Sequence, residues 1–311
     1  MSELVSTLSK VFTLTFVVTS MFSFGLRLTL QQIIEPLRNG RLVLMALLAN
    51  FAILPAAALL LASMLGLDND LRIGLILIST VAGAALVPKL AQIAKGNLPF
   101  AVALVALLLV ATVIYLPLVL PFLLPGVQVD AGGIAASLSL QILLPLALGL
   151  IVDYISKDEA DVLLPVLGQI SNVSLALMLA LLLGLNLGAV IGLLGTGSII
   201  AAILLMVVAM VAGYFLGGPD PAIQRTLALA TGQRNLAAAL VVATGNFADQ
   251  PNVLIFLAAA GLIAMILVIP VAGWFGRRAE GAAEPQGAAA FSVVPATGGD
   301  GKNREGEQTP D

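Results

Sequence analysis

No cysteine and no histidine occur among the 311 residues. The first absence excludes disulfides and thiolate metal sites, and the second excludes imidazole catalysis and imidazole ligation. Aromatic residues make up only 5% of the chain, with a single tryptophan, Trp274. Charge is scarce too: 10% of residues are charged, against roughly a quarter in soluble domains. The net charge of −3 gives nucleic acid nothing to bind. What is abundant is apolar surface, at 60% of the residues. A soluble globule with so few charges could not cover itself, whereas a bilayer suits this composition. The fold class that follows is an all-α polytopic membrane protein.

A membrane-spanning helix needs about 20 largely apolar residues. Nine such stretches are legible, at roughly 8–26, 41–65, 71–94, 98–123, 134–156, 163–187, 194–216, 222–245 and 251–275. The breaks carry turn or charge chemistry: Glu35-Pro36 and Arg38-Asn39-Gly40-Arg41, Asp68-Asn69-Asp70, Lys95-Gly96-Asn97, the charged run 156–161, and Gly217-Gly218-Pro219-Asp220-Pro221. Lys10 before the apolar run 11–24 imitates a signal peptide, but no small-x-small cleavage site follows cleanly, so the run reads as the first membrane helix. The membrane domain covers 1–276, with halves of about 1–123 and 134–276. Residues 277–311, rich in Gly, Ala, Glu and Pro, read as a disordered polar tail.

Nine spans put the termini on opposite sides. Arg277 and Arg278, just after the last span, argue for a cytoplasmic C-terminus and an outside N-terminus in the cell's inner or plasma membrane. The cytoplasmic side then holds Arg27, Arg38, Arg41, Lys95, Lys157, Arg225, Arg277 and Arg278, and the outer side only Lys10 and Arg72.

Two cations remain, Lys89 and Arg234, inside the third and eighth spans. Both spans carry helix-breaking or polar groups near mid-depth: Gly83 and Pro88 in one, Gly232, Gln233 and Asn235 in the other. Gly83 to Gly96 has the same spacing as Gly232 to Gly245. Paired interrupted helices in inverted halves point to a midplane substrate site in secondary transporters. Glycines that merely share a spacing, with Pro88 a simple kink, are the plainer alternative. A charge at mid-bilayer costs roughly 2.5–3.5 kcal/mol on insertion scales and persists where it meets a cavity, a partner or a ligand. No Asp or Glu lies near mid-depth in any of the nine spans, so the two cations suggest an anion site beside half-helix N-termini. Candidate binding residues are Arg234, Asn235, Gln233, Thr231, Lys89 and Asn50. Lys89 also has a long stem that would let it snorkel to an interface. Trp274 reads as an interfacial anchor, and Tyr115 and Tyr214 as packing residues.

Several motifs resemble one family. Phe24-Gly25-Leu26-Arg27-Leu28-Thr29 resembles the "MGLxLT" segment of the bile acid:sodium symporter family. Asn50-Phe51-Ala52-Ile53-Leu54-Pro55 is similar to its "QFxxMP", and Ala94-Lys95-Gly96-Asn97 to the end of its first crossover helix. The run LALATGQRNLA, residues 227–237, resembles its second crossover motif. The resemblance covers about 20–275 and implies a core domain holding two crossed, discontinuous helices and a panel domain moving against it. It also implies transport of organic anions coupled to sodium.

The departures from the family pattern fall on the ion ligands. The family's Ser-Asn sodium-ligand pair aligns with Val87 and Pro88, its bridging Glu with Ala230, and the following Gln with Arg234. The hydroxyl ligands of the next helix fall in 102–111, all apolar here, and only Asn50 and Asn235 stay polar. Sodium prefers several oxygen ligands, as hard cations do, so no metal site and no cofactor are expected, with Arg234 supplying the positive charge in fixed form and a bound sodium ion as the alternative. The expected function is secondary transport of a small organic anion, with the lipid bilayer and that anion as the only partners and no obligate protein partner. An intramembrane enzyme would want a nucleophile–base pair or paired buried acids, which are missing. A non-transporting scaffold or sensor, and an auxin-efflux-like carrier, are the alternatives.

Overall fold

In a hydrocarbon solvent each backbone N–H and C=O must be satisfied within the protein, and helices do this locally. The computed structural model describes residues 3–29, 31, 34 and 38–283, all helix and connection with no strand among them. Glu35 and Pro36, and the tail from 284, lie outside the described residues. Seven helices are long and apolar enough to cross a membrane. They are α1 (Glu3–Gly25), α2 (Gly40–Met64), α5 (Leu98–Leu123), α6 (Ala131–Ile155), α7 (Lys157–Gly184), α9 (Ser198–Leu216) and α12 (Pro251–Ala283).

The remaining two expected spans are each split. The third is α3 (Asn69–Thr80) followed by α4 (Val87–Ile93). The eighth is α10 (Pro221–Gly232) followed by α11 (Leu236–Asn246). A short helix not expected from the sequence, α8 (Leu187–Gly195), fills the Gly-rich connection between α7 and α9. The expected tail also begins later than its composition suggests, because α12 continues through residues 277–283.

The polar residues at the breaks are mostly helix N-caps, each accepting from an otherwise orphaned N–H. Asn97 Oδ1 accepts from Phe100, Asp130 Oδ1 from Gly133, and Asp220 Oδ1 from Ala222. Inside α2, Pro55 cannot donate to the carbonyl of Phe51, and the helix widens over Ala49–Ile53 just before it. The Tyr115 hydroxyl on α5 donates to that carbonyl at 2.7 Å.

Burial sorts the elements. The second half of α3, most of α11 and the last turns of α10 are buried all round, the signature of helices enclosed by other helices. By contrast Leu140, Ile151, Val162, Phe122 and Phe215 lie exposed on α6, α7, α5 and α9, an apolar surface that suits lipid and not water. α1 packs chiefly on α6 and α7, and α9 on α10. Gly25 and Gly149 make the first of these contacts possible: a Cβ on Gly25 would overlap the Leu146 carbonyl, and one on Gly149 the Phe22 carbonyl.

Two clusters mark the opposite ends of the molecule. At one end Arg225 donates to the Lys95 carbonyl at 2.8 Å, and Lys95 pairs with Glu280 at 3.2 Å. At the other, Asn252 donates to Asp70, and the Asp130 N–H to Asn246. Accordingly α3 and α11 occupy one half of the thickness, α4 and α10 the other, and the two interruptions meet between them.

Candidate functional site

Residues 81–86 of the first interruption have no helical ladder. Gly83 there has φ +81, and a Cβ on it would come within 2.7 Å of the Leu109 nitrogen and 2.9 Å of the Val105 carbonyl oxygen on α5. Only glycine allows that backbone shape and that approach together. Pro88 sits in the first turn of α4, where its missing N–H costs nothing. Gly232 is the last residue of α10.

Ending α3 and α10 at mid-depth orphans their final carbonyls. In a continuous helix Ile78, Ser79 and Thr231 would receive N–H groups from residues 82, 83 and 235. Here the Ala82 N–H donates instead to Thr112 Oγ1 at 3.0 Å, and the Asn235 N–H to the Val81 carbonyl at 3.4 Å. Arg234 fills the gap. Its Nε donates to the Ile78 carbonyl (3.1 Å), Nη2 to Ser79 (2.7 Å), and Nη1 to both Thr231 (3.2 Å) and Asn50 Oδ1 (2.7 Å). Arg234 is 8% exposed, so four of its five donors are committed inside the protein. Asn50 in turn donates to the Ala46 carbonyl and to Thr231 Oγ1. Asn235 caps α11 through Ala238 and donates Nδ2 to the Gly83 carbonyl at 3.2 Å. The second interruption is thus sewn to the first.

These partners revise the expected electrostatics. Arg234 faces the C-terminal ends of two half-helices, not their N-terminal ends, and its fork is taken up by carbonyls. Lys89 is exposed, not buried, with no ion pair among the described residues. The structure brings together Asn50, Thr231, Arg234 and Asn235; Gln233 adjoins them and Lys89 stands apart across a cavity.

That cavity has a volume of about 490 Å3 and lies between α1 and α7 on one side and the interruptions, α9 and α12 on the other. Lys89, Arg27 and Arg234 line it, and among the described residues no carboxylate does. Two of its wall groups, Ser23 Oγ and Gln233 Oε1, are buried without a hydrogen-bond partner among the described residues. Sequence reasoning missed two contributors. Thr112, one residue beyond the apolar stretch 102–111, satisfies both backbone groups of Ala82, and one of two hydroxyls, with Tyr115, in so apolar a helix was the available signal. Ser23 carried no signal apart from its place near the end of α1.

The positions aligned with sodium ligands are poor in side-chain oxygen. Val87, Pro88 and Ala230 offer no side-chain oxygen, Asn50 Oδ1 is bonded to Arg234, and Asn235 Oδ1 caps α11. Among the described residues no group of three or more His, Cys, Asp or Glu could hold a metal ion.

Two interrupted helices crossing inside an all-α bundle define a polytopic membrane protein of the crossed-helix kind. The model of the sodium bile acid symporter family matches residues 14–193, and the chain belongs to that family. Its relatives are distant. A probable sodium/metabolite cotransporter of rice, BASS2, chloroplastic, is 30% identical over 237 residues, covering 74% of this chain and 55% of that protein. The probable sodium/metabolite cotransporter BASS3, chloroplastic, of Arabidopsis thaliana is 25% identical over 230 residues, 72% of this chain and 53% of that protein. YocS, an uncharacterized sodium-dependent transporter of Bacillus subtilis, is 25% identical over 235 residues, 73% of this chain and 72% of that protein. The match therefore spans little more than half the length of the plant relatives.

Proposed function

We propose that the chain is a secondary transporter of small organic anions that does not require sodium. The observation that carries this reading is the cavity at the crossing, lined by cations and, among the described residues, by no acid. Because Arg234 is committed to carbonyls, the charge left for a substrate is the Lys89 ammonium, with Arg27 also on the wall. The unpartnered Ser23 hydroxyl, which can donate or accept, and the Gln233 Oε1 acceptor belong to residues of the wall and become available to a polar group on the substrate only if their side chains turn toward the cavity, and the apolar remainder of the wall suits a hydrocarbon body. Alternating access would come from α1, α6 and α7 moving against the crossing.

The chain is read as lying in the cell's inner or plasma membrane with its C-terminus cytoplasmic. The cluster of Lys95, Arg225 and the end of α12 at one face supports that orientation, since positive charge is retained inside. The test of the site is thermal stabilisation of purified protein by a panel of carboxylates and sulfonates, since binding to the folded form raises Tm by mass action. Lys89→Gln should weaken the stabilising anions by about tenfold, about 1.4 kcal/mol. A substitution that leaves every affinity unchanged would exclude Lys89 as the anchor.

A further inference from the structure

Arg27 and Lys89 both line the cavity, both are exposed, and neither makes an ion pair among the described residues. The third cation of the wall, Arg234, is spent on carbonyls at the ends of α3 and α10. Helix C-termini carry partial negative charge, so that guanidinium is met within the fold. Whatever enters the cavity therefore meets two uncompensated positive charges and, among the described residues, no carboxylate. The two charges stand on opposite walls. Lys89 is the third residue of α4, which leaves the crossing toward the Lys95 end of the molecule. Arg27 follows the last turn of α1, where Gly25 lies against Gly149 and Leu150 in the second half of α6. α6 begins at the other face, beside Asn246, so Arg27 also belongs to the half nearer Lys95.

We infer that the cargo of this cavity is an organic dianion with two separate acidic groups, one held by Arg27 and the other by Lys89. The inference rests on the transport reading and names its substrate class. A guanidinium fork matches the two oxygens of a carboxylate, and an ammonium serves as a compact point charge for the second. A monoanion can answer only one of the two cations and leaves the other facing the cavity alone. The two anchors also belong to different bodies. Arg27 is carried by α1, which packs on α6 and α7, whereas Lys89 is carried by the crossing. A dianion spanning the cavity links the two, and a monoanion on either anchor does not. Between the anchors the wall is apolar at Phe16, Phe24 and Leu205, which suits a short hydrocarbon segment joining the acids. The volume of about 490 Å3 lies within the range of small-molecule pockets.

The experiment uses the full chain in nanodiscs and reads apparent Tm at constant ionic strength. The probes are succinate, glutarate and adipate, each beside its monomethyl ester, which keeps the length and removes one charge. For native protein at least one diacid should stabilise at about a tenth of the concentration its monoester needs. Arg27→Gln and Lys89→Gln should each remove that preference, bringing diacid and monoester within about threefold of one another. The charge-keeping variants Arg27→Lys and Lys89→Arg should retain it, which a merely structural role for either side chain would not produce. Arg72→Gln, a cation off the cavity wall, should behave as native. The proposal is overturned if no diacid stabilises native protein, if a monoester matches its diacid there, or if the preference survives in either glutamine variant. Transport is scored separately, by uptake of the same acids into proteoliposomes. A charge-dependent diacid preference in a protein that moves none of them would keep the dianion site and remove the transport reading. Uptake of monoester and diacid alike, with no preference in binding, would do the reverse.

Discussion

Replacing Asn50 by leucine tests whether the Arg234 fork is worth what its geometry implies. Asn50 is fully buried, and its Oδ1 accepts from Arg234 Nη1 at 2.7 Å, a charge-assisted bond. Such bonds contribute about 1.5–3 kcal/mol. Leucine has nearly the same reach and no polar atom, so burying it offsets part of the loss. It also removes the donations to the Ala46 carbonyl and Thr231 Oγ1, each worth about 0.5–1.5 kcal/mol. The expected net destabilisation is about 2–4 kcal/mol, and at about 2 °C per kcal/mol for a chain of this size apparent Tm should fall by about 4–8 °C. The decisive quantity is the double-mutant cycle with Arg234→Met. Because the two side chains touch, the double variant should be less destabilised than the sum of the singles, with a coupling of about 1–2 kcal/mol. Thermal unfolding monitored by fluorescence of Trp274 in nanodiscs supplies all four Tm values. Additivity within about 0.5 kcal/mol would refute the bond as an energetic link and leave Arg234 held by backbone alone.

Three further outcomes follow from the same geometry. Gly83→Ala forces a positive φ of 81 onto a residue with a Cβ and drives that Cβ into the α5 backbone; the left-handed strain alone is about 1–2 kcal/mol, so Tm should fall and anion-induced stabilisation should disappear. Thr112→Val keeps shape but strips the Ala82 N–H of its acceptor, a loss of about 1–3 kcal/mol, and Thr112→Ser should restore Tm to near native and restore slow hydrogen exchange at Ala82. Gly149→Leu places a side chain where α1 and α6 touch and should separate those helices, seen as loss of a cysteine crosslink engineered between them in an active background.

Much of the architecture was legible because hydrocarbon imposes a length on every span. The apolar runs and their charged breaks located all seven uninterrupted helices, five of them within a few residues, whereas α7 starts six residues before its expected span and α12 runs eight beyond, and Gly83, Pro88 and Gly232 marked the interruptions. The α8 helix was hidden because its Gly and Leu residues fit equally well a loop or a continuing helix. The direction of the Arg234 side chain was hidden for a different reason. Sequence shows that a cation lies beside a helix break, but not which of the two helix ends it faces. That depends on how a residue in one half of the chain packs against carbonyls more than 150 positions away. Lys89 illustrates the same limit: its position beside Pro88 was clear, while its exposure depends on the cavity left by α1 and α7.

The measurement closest to the centre is uptake of a stabilising anion into proteoliposomes under a fixed membrane potential, with sodium outside in one set and potassium in the other. With Arg234 in place as the cation of the crossing, initial rates should be equal in the two salts. A rate that vanishes in potassium and returns with sodium would contradict it.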